Sequence, residues 1–177
     1  MVKQIKNKSV NYAFIDSQNL NLGTQLKGWK LDFGKFRTYL LTKFNVKKTF
    51  LFIGYVEGNA SLYRYLQEIG FLLIFKHVLE IKKGDKITVK GNVDAELVLH
   101  TMIEFPHYDQ AVIVSGDGDF FCLVEYLESK GKLAKIIVPN QHYSSLLRKY
   151  AKNILPLTIV KNKLEYKKEK ERHSRGK

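Results

Sequence analysis

The chain has 177 residues, 45% of them apolar, and Lys plus Arg outnumber Asp plus Glu by 30 to 17, a net charge of +13. This length and apolar content exclude a disordered chain and suit one compact domain, and no apolar run reaches the roughly 18 residues of a membrane helix. A single cysteine excludes an internal disulfide and a cysteine-rich zinc site, while so basic a balance favours a polyanionic partner, nucleic acid first and an anionic membrane surface second.

Residues 1–10 are basic and polar, and the apolar stretch after them stops at Asp16. That is too short and too early interrupted for a signal peptide, so a cytoplasmic protein is expected. Residues 12–15 (YAFI) form the first buried-strand candidate. Phe33, Phe36, Leu40 and Phe44 then repeat at helical spacing behind Asp32, a residue suited to cap the helix. Residues 49–53 (TFLFI) predict a second strand. Leu62, Leu66 and Ile69 mark a helix stopped by Gly70, and residues 71–75 (FLLIF) a third strand.

The next stretch breaks the alternation. Residues 79–90 alternate with period two around Gly84-Asp85 and carry Lys82, Lys83, Lys86 and Lys90, which reads as a basic hairpin or arm within 76–90. Leu97, Val98, Met102 and Phe105 then predict a helix ended by Pro106, and residues 111–114 (AVIV) a fourth strand. Phe120, Leu123, Val124 and Leu127 make a helical stripe closed by Gly131, with Cys122 read as an inert core thiol. Residues 134–138 (AKIIV) are a fifth strand, Leu146, Leu147, Tyr150 and Ala151 a short last helix, and Ile154-Leu155 the start of a sixth strand. Residues 161–177 hold eight Lys/Arg against three Glu and read as a flexible basic tail. Strands alternating with helices predict an α/β fold with a mostly parallel sheet of five or six strands, its continuous apolar runs covered on both faces.

In such sheets ligands bind beyond the carboxyl ends of the strands. Asp16 directly follows the first strand, Ser115-Gly-Asp-Gly-Asp119 directly follows the fourth, and Asp94 opens the helix before it. Each has a local explanation: an Asx turn at Asp16, a favourable helix-dipole contact at Asp94, and an N-cap at Asp119 with Asp117 in a turn. Yet positions 94, 97, 98, 101 and 102 share one helix face, so Asp94 heads the stripe that meets the core, where an unpartnered carboxylate is costly. Two aspartates separated by one glycine are also more acid than a cap requires. Clustered carboxylates repel and raise each other's pKa, and a divalent cation removes that penalty. Oxygen ligands favour Mg²⁺ or Mn²⁺, ions that polarise a phosphodiester and acidify a bound water.

At these residues the sequence resembles the NYN family, within the PIN-like nucleases and close to their bacterial LabA-like members. FIDSQNL at 14–20 is similar to the family's "IDGxN" strand motif, KGNVDAEL at 90–97 to its "KGxVD" helix start, and VSGDGDF at 114–120 to its "SGDxDF" loop. The likeness spans roughly residues 11–155. It implies a Rossmann-like (PIN-like) three-layer α/β/α sandwich, with a nuclease domain over 1–160 ahead of the 161–177 tail, and a metal-dependent ribonuclease site. By motif position, Asp16, Asp94, Asp117 and Asp119 would hold the metal. Asn19 would orient a ligand, water or phosphate, and Ser115 would support the acidic loop. Ser17 stands where the family usually has glycine. His100 stands where relatives often carry another aspartate, and a lone helical histidine reads as structural.

The arm runs straight into the motif holding Asp94, so Lys82, Lys83, Lys86 and Lys90 could track an RNA backbone, or could simply be a solvated edge. Tyr143 and other aromatics are candidates for base stacking. RNA, single-stranded or structured, is the expected partner, and a homodimer stays open. Three readings remain: an endoribonuclease, an RNA-binding module of the same fold without turnover, and a Mg²⁺-dependent small-molecule phosphatase, which would explain the acid but not the +13 charge.

Overall fold

The structure is a computed structural model that describes residues 9–76, 79–83, 86–90 and 92–167, with the backbone alone at 79–83 and 86–90. The main sheet has six strands, each pairing parallel, in the order β3-β2-β1-β6-β7-β8. Its members are β1 (Asn11–Asp16), β2 (Val46–Gly54), β3 (Leu72–Lys76), β6 (Gln110–Val114), β7 (Leu133–Val138) and β8 (Ile154–Pro156). The continuous apolar runs become these strands because both faces are covered: all six residues of β1 are buried. Alternate residues serve opposite cores. Tyr12 and Phe14 join one apolar cluster with Leu97, Leu123 and Leu127, while Ala13 and Ile15 join the other with Leu20, Phe36 and Leu40. The layers are therefore α/β/α, with α4 (Asp94–Ile103) and α5 (Phe121–Ser129) on one side. On the other lie α1 (Ser17–Gln25), α2 (Phe33–Phe44), α3 (Ala60–Glu68) and α6 (Lys161–Leu164).

The chain winds outward from β1 through β2 to β3, then crosses back to lay β6 against the other side of β1. That reversal makes the β1/β6 junction the switch point of the sheet, where a crevice opens beyond the carboxyl ends. The β1–β6 ladder ends at Ile15 opposite Val114. The next residues, Asp16 and Ser115, leave the sheet side by side.

Between β3 and α4 lies the two-stranded antiparallel pair β4 (Leu79–Lys83) and β5 (Lys86–Lys90), in register from Leu79 opposite Lys90 to Lys83 opposite Lys86. This is the period-two arm, and the Gly84-Asp85 turn lies outside the described residues.

Four local expectations need correction. The sequence reading has no helix between the first strand and Asp32, yet α1 forms there from a polar segment, SQNLNLGTQ. Asp16 caps it by accepting from the Asn19 N–H, and Gly23 lets it approach β7's exit so closely that a Cβ there would clash with Pro139. Residues 145–153 form 3₁₀ turns broken at Tyr150 and not an α-helix. Cys122 is exposed, because the stripe of Leu123, Val124 and Leu127 turns position 122 away from the core. The packed domain also runs past residue 160. Leu164 is buried in the second cluster, its carbonyl accepts from the Asp32 N–H at 2.8 Å, and the Tyr166 N–H donates to the Lys30 carbonyl. Only residues 168–177 of the expected tail lie outside the described residues. No helix among the described residues is long and apolar enough to cross a membrane.

The Leu164→Ala substitution tests whether this extension belongs to the domain. Removing a fully buried leucine should cost roughly 2–5 kcal/mol in equilibrium urea unfolding, whereas a dispensable tail would give a change within experimental error.

Candidate metal centre

At the switch point a hydrogen-bond chain sets the acidic residues. Asp16 is 5% exposed, and both its oxygens accept: Oδ1 from the Asn19 N–H at 3.0 Å and Oδ2 from the Ser115 hydroxyl at 3.3 Å. The Ser115 Oγ in turn accepts from the Asp117 N–H at 3.2 Å, and the Asn19 side-chain carbonyl accepts from the Gly116 N–H at 2.9 Å. The two strand ends are thus stitched together through Ser115, whose Oγ also holds the Asp117 N–H of the acidic loop. Asp117 caps the 3₁₀ turn Gly118–Phe120 by accepting from the Asp119 N–H at 3.1 Å, the reverse of the cap assignment read from sequence.

The loop glycines are needed for space and not for unusual backbone angles; among the described residues the positive-φ glycines are Gly28, Gly58, Gly70 and Gly131. A Cβ on Gly118 would collide with the Ser144 side chain, and one on Gly116 would lie 3.1 Å from Tyr143 Cβ. Segment 143–146 therefore packs on the acidic loop, and the Ser144 N–H donates to the Gly116 carbonyl at 2.9 Å. Tyr143 is partly buried against the core as part of this packing.

Asp94 arrives from a different element, as the first residue of α4. Asn92 holds it reciprocally, its side-chain amide donating to Asp94 Oδ2 at 2.6 Å while its side-chain carbonyl accepts from the Asp94 N–H at 2.9 Å. Asn92 has no part in the sequence reading. Its signal is the Asn-Val-Asp spacing, which lets an Asn side chain bond the backbone two residues on.

Asp94, Asp117 and Asp119 each bring a carboxylate oxygen within 4.8 Å of the others. Asp16 lies outside that group, engaged by Asn19 and Ser115, so the structure gathers three of the four aspartates expected to act as ligands. Burial raises the Asp94 pKa above the ordinary carboxylate value against the Asn92 hydrogen bond, and the charges of Asp117 and Asp119 raise it further. Asp16 is also raised, first by burial, with added repulsion from Asp94 and Asp117. An all-oxygen cluster in which two carboxylates disfavour the charged form of Asp94 fits a hard divalent cation, and Asp94, Asp117 and Asp119 are the residues placed to hold it.

His100 is not part of this group. Its ring lies 5.7 Å from that of Phe52 and 6.5 Å from that of Phe50, packed on the sheet. Lys76, at the end of β3, pairs with Glu96 at 2.8 Å and moderates the Asp94 shift. Lys82, Lys83, Lys86 and Lys90 fall on the β4–β5 ladder.

A family model described as NYN domain matches residues 12–158. Among curated proteins the chain is 22% identical over 159 residues to the low amplitude and bright protein LabA of Synechococcus elongatus, the match covering 86% of each chain. Among solved structures it is similar to a protein of unknown function, VPA0982, from Vibrio parahaemolyticus, with a TM-score of 0.71, 23% identity, and coverage of 92% of this chain and 99% of that one. At that identity the structural likeness bears on the fold.

The raised Asp16 value gives a stability test. The folded chain holds this proton more tightly than the unfolded chain, so the charged carboxylate costs stability above its folded pKa. That cost is lifted as pH falls through the raised value towards the unfolded value of 3.8. An Asn at this position keeps an oxygen for the Asn19 N–H and an amide for the Ser115 Oγ. In EDTA at pH 7, Asp16→Asn should raise the melting temperature on the order of 2–4 °C. The gain should disappear near pH 4, and scanning calorimetry across pH measures both.

Proposed function

The chain belongs to the NYN domain family, and from that premise we propose that it is an endoribonuclease that hydrolyses RNA phosphodiesters at the Asp94, Asp117 and Asp119 cluster with Mg²⁺ or Mn²⁺. The observation that carries the reading is the convergence of three carboxylates within 4.8 Å at the switch point of a chain of net charge +13. Bare carboxylates beside a phosphate would oppose the attraction that the rest of the chain provides. A pure RNA binder gains nothing from them, and a small-molecule phosphatase does not need so basic a surface.

When bound, the divalent ion supplies Lewis-acid polarisation of the phosphate and a water of lowered pKa. The protein's own groups do the rest. Asp94, held by Asn92, and Asp117 and Asp119, held by their loop, present ligand oxygens from two separate elements. Asp16 acts as a positioning residue in this reading, fixing the loop through Ser115. The Asn19 carbonyl is committed to Gly116, which leaves its NH₂ group to donate to a phosphate oxygen or a water. Lys82, Lys83, Lys86 and Lys90 on the arm, with the lysine-rich end of the chain, follow the RNA backbone without reading its sequence.

The test uses end-labelled single-stranded RNA and an RNA hairpin in Mg²⁺, Mn²⁺ or EDTA, with Asp117→Asn in parallel. Cleavage should require metal and fall by about a hundredfold or more in the variant. With on the order of four phosphate contacts, raising salt from about 50 to 200 mM should weaken single-strand binding roughly 50-fold. RNA binding by folded, metal-loaded protein without cutting supports the binding-module reading. Turnover of a small phosphate ester with little salt dependence supports the phosphatase.

A further inference from the structure

A cavity of about 370 Å³ opens beside the carboxylate cluster, between α1, α3 and the carboxyl end of β2. It is continuous with the site through the chain itself: Ser17 and Val93, which line it, directly adjoin Asp16 and Asp94. Its floor is apolar, with Phe52 fully buried beneath it. Its rim carries three carboxamides, Gln18 and Asn21 from α1 and Asn59 ahead of α3. Asn59 occupies the N-cap position of α3, yet its side chain makes no capping hydrogen bond. An asparagine there ordinarily caps, so its amide is left for something else. None of the described residues lining the cavity is charged.

We propose that this cavity takes one unpaired nucleobase, that of the nucleotide adjoining the phosphate at the carboxylate cluster, so that the substrate is single-stranded RNA; the proposal rests on the RNA reading above. A phosphate would seek cations, and this wall has none. A base suits it, because it is a flat apolar body edged with alternating donors and acceptors, and a carboxamide presents one of each in the same plane. The volume lies at the small end of ligand pockets, which run from roughly 300 to 1,000 Å³, and so takes a single base and not a stacked pair of strands. The neighbouring surface complements it. A second cavity of about 410 Å³, sharing the Leu22 wall, is lined by Lys27 and His142 and reaches Asn19 and Gly116. The backbone can pass on that cationic side while the base turns into the neutral one. A base inside a duplex cannot enter without being unstacked, so paired RNA is disfavoured.

The experiment is a titration of the full chain in EDTA, which blocks cutting, followed through the side-chain amide signals of Gln18, Asn21 and Asn59 in ¹H–¹⁵N spectra. The probes are the four homotetramers of A, C, G and U, an abasic ribose-phosphate tetramer, and a blunt RNA duplex. At least one base-bearing tetramer should shift the three amides, while the abasic tetramer and the duplex leave them in place. Asn21→Ala should weaken that tetramer about tenfold with unchanged melting temperature and unchanged affinity for the abasic tetramer. Equal shifts from the abasic tetramer, or amides unmoved by every tetramer while metal-dependent cutting persists, would overturn the base pocket and leave the nuclease standing. Shifted amides without metal-dependent cutting would overturn the nuclease and leave the pocket. A chain that binds none of these oligomers and shows no metal-dependent cutting overturns both.

Discussion

The parallel pairing of β1 with β6 is the constraint on which the rest depends. Because the strand order reverses there, the crossovers diverge and leave a crevice. Because the ladder stops at Ile15 and Val114, Asp16 and Ser115 emerge as neighbours despite being 99 positions apart. Their hydrogen bond carries the geometry of the sheet into the acidic loop: Ser115 also receives the Asp117 N–H, and Asp117 receives the Asp119 N–H. A one-residue slip in this pairing would turn Phe14 and Ile15 to the wrong cores and separate these partners. The buried aromatic and aliphatic faces of β1 therefore protect the register on which the site is built.

The electrostatics run against stability at this one place. Asp16 is buried and faces the charges of Asp94 and Asp117, which raises its pKa despite two hydrogen bonds. The compensation lies in packing on both faces of the sheet, where Phe14, Phe36, Phe52 and Phe120 are fully buried. Hydrogen-bond donors blunt the repulsion locally, with Asn19 and Ser115 at Asp16 and Asn92 at Asp94. The donors are neutral. The Lys76 ammonium offsets the rise at Asp94 only in part, and it pairs with Glu96 at 2.8 Å. A site arranged this way keeps its acidity available to a ligand instead of cancelling it with a lysine.

Much of this was legible in the sequence, for identifiable reasons. Strands buried on both faces leave unbroken apolar runs, so β1, β2, β3, β6, β7 and β8 could be read one by one. Asp16, Asp94, Asp117 and Asp119 could be placed because each abuts an apolar element of recognisable period. What could not be read depends on tertiary contacts. Helix α1 has no clear stripe, and its course is set by the Asp16 cap and by the tight approach of Gly23 to Pro139. The segment around Leu164 looks like a charged tail until its leucine finds the second core. Asp16 stands apart from the other three aspartates because of where two donors point, which no spacing reveals. Cys122 is different: the stripe of Leu123, Val124 and Leu127 already turned it outward, and the misreading came from apolar composition overriding period.

On the proposed reading, three kinds of side chain would divide an RNA strand by its chemistry. Carboxylates at Asp94, Asp117 and Asp119 have no affinity for a phosphate except through a cation, so they act only where a cation is shared. In that reading, the lysines of the arm would attract phosphates without discriminating among nucleotides. The carboxamide-rimmed cavity is neutral and can distinguish one base from another but contributes little long-range attraction. Attraction, selection and bond cleavage would thus fall to different side chains. The cavity is tied most closely to cleavage, because Ser17 and Val93 belong to the same short segments that carry Asp16 and Asp94. A base that seats poorly there would shift its own phosphate away from the cluster, so selection at the cavity would appear in the rate of cutting as well as in affinity.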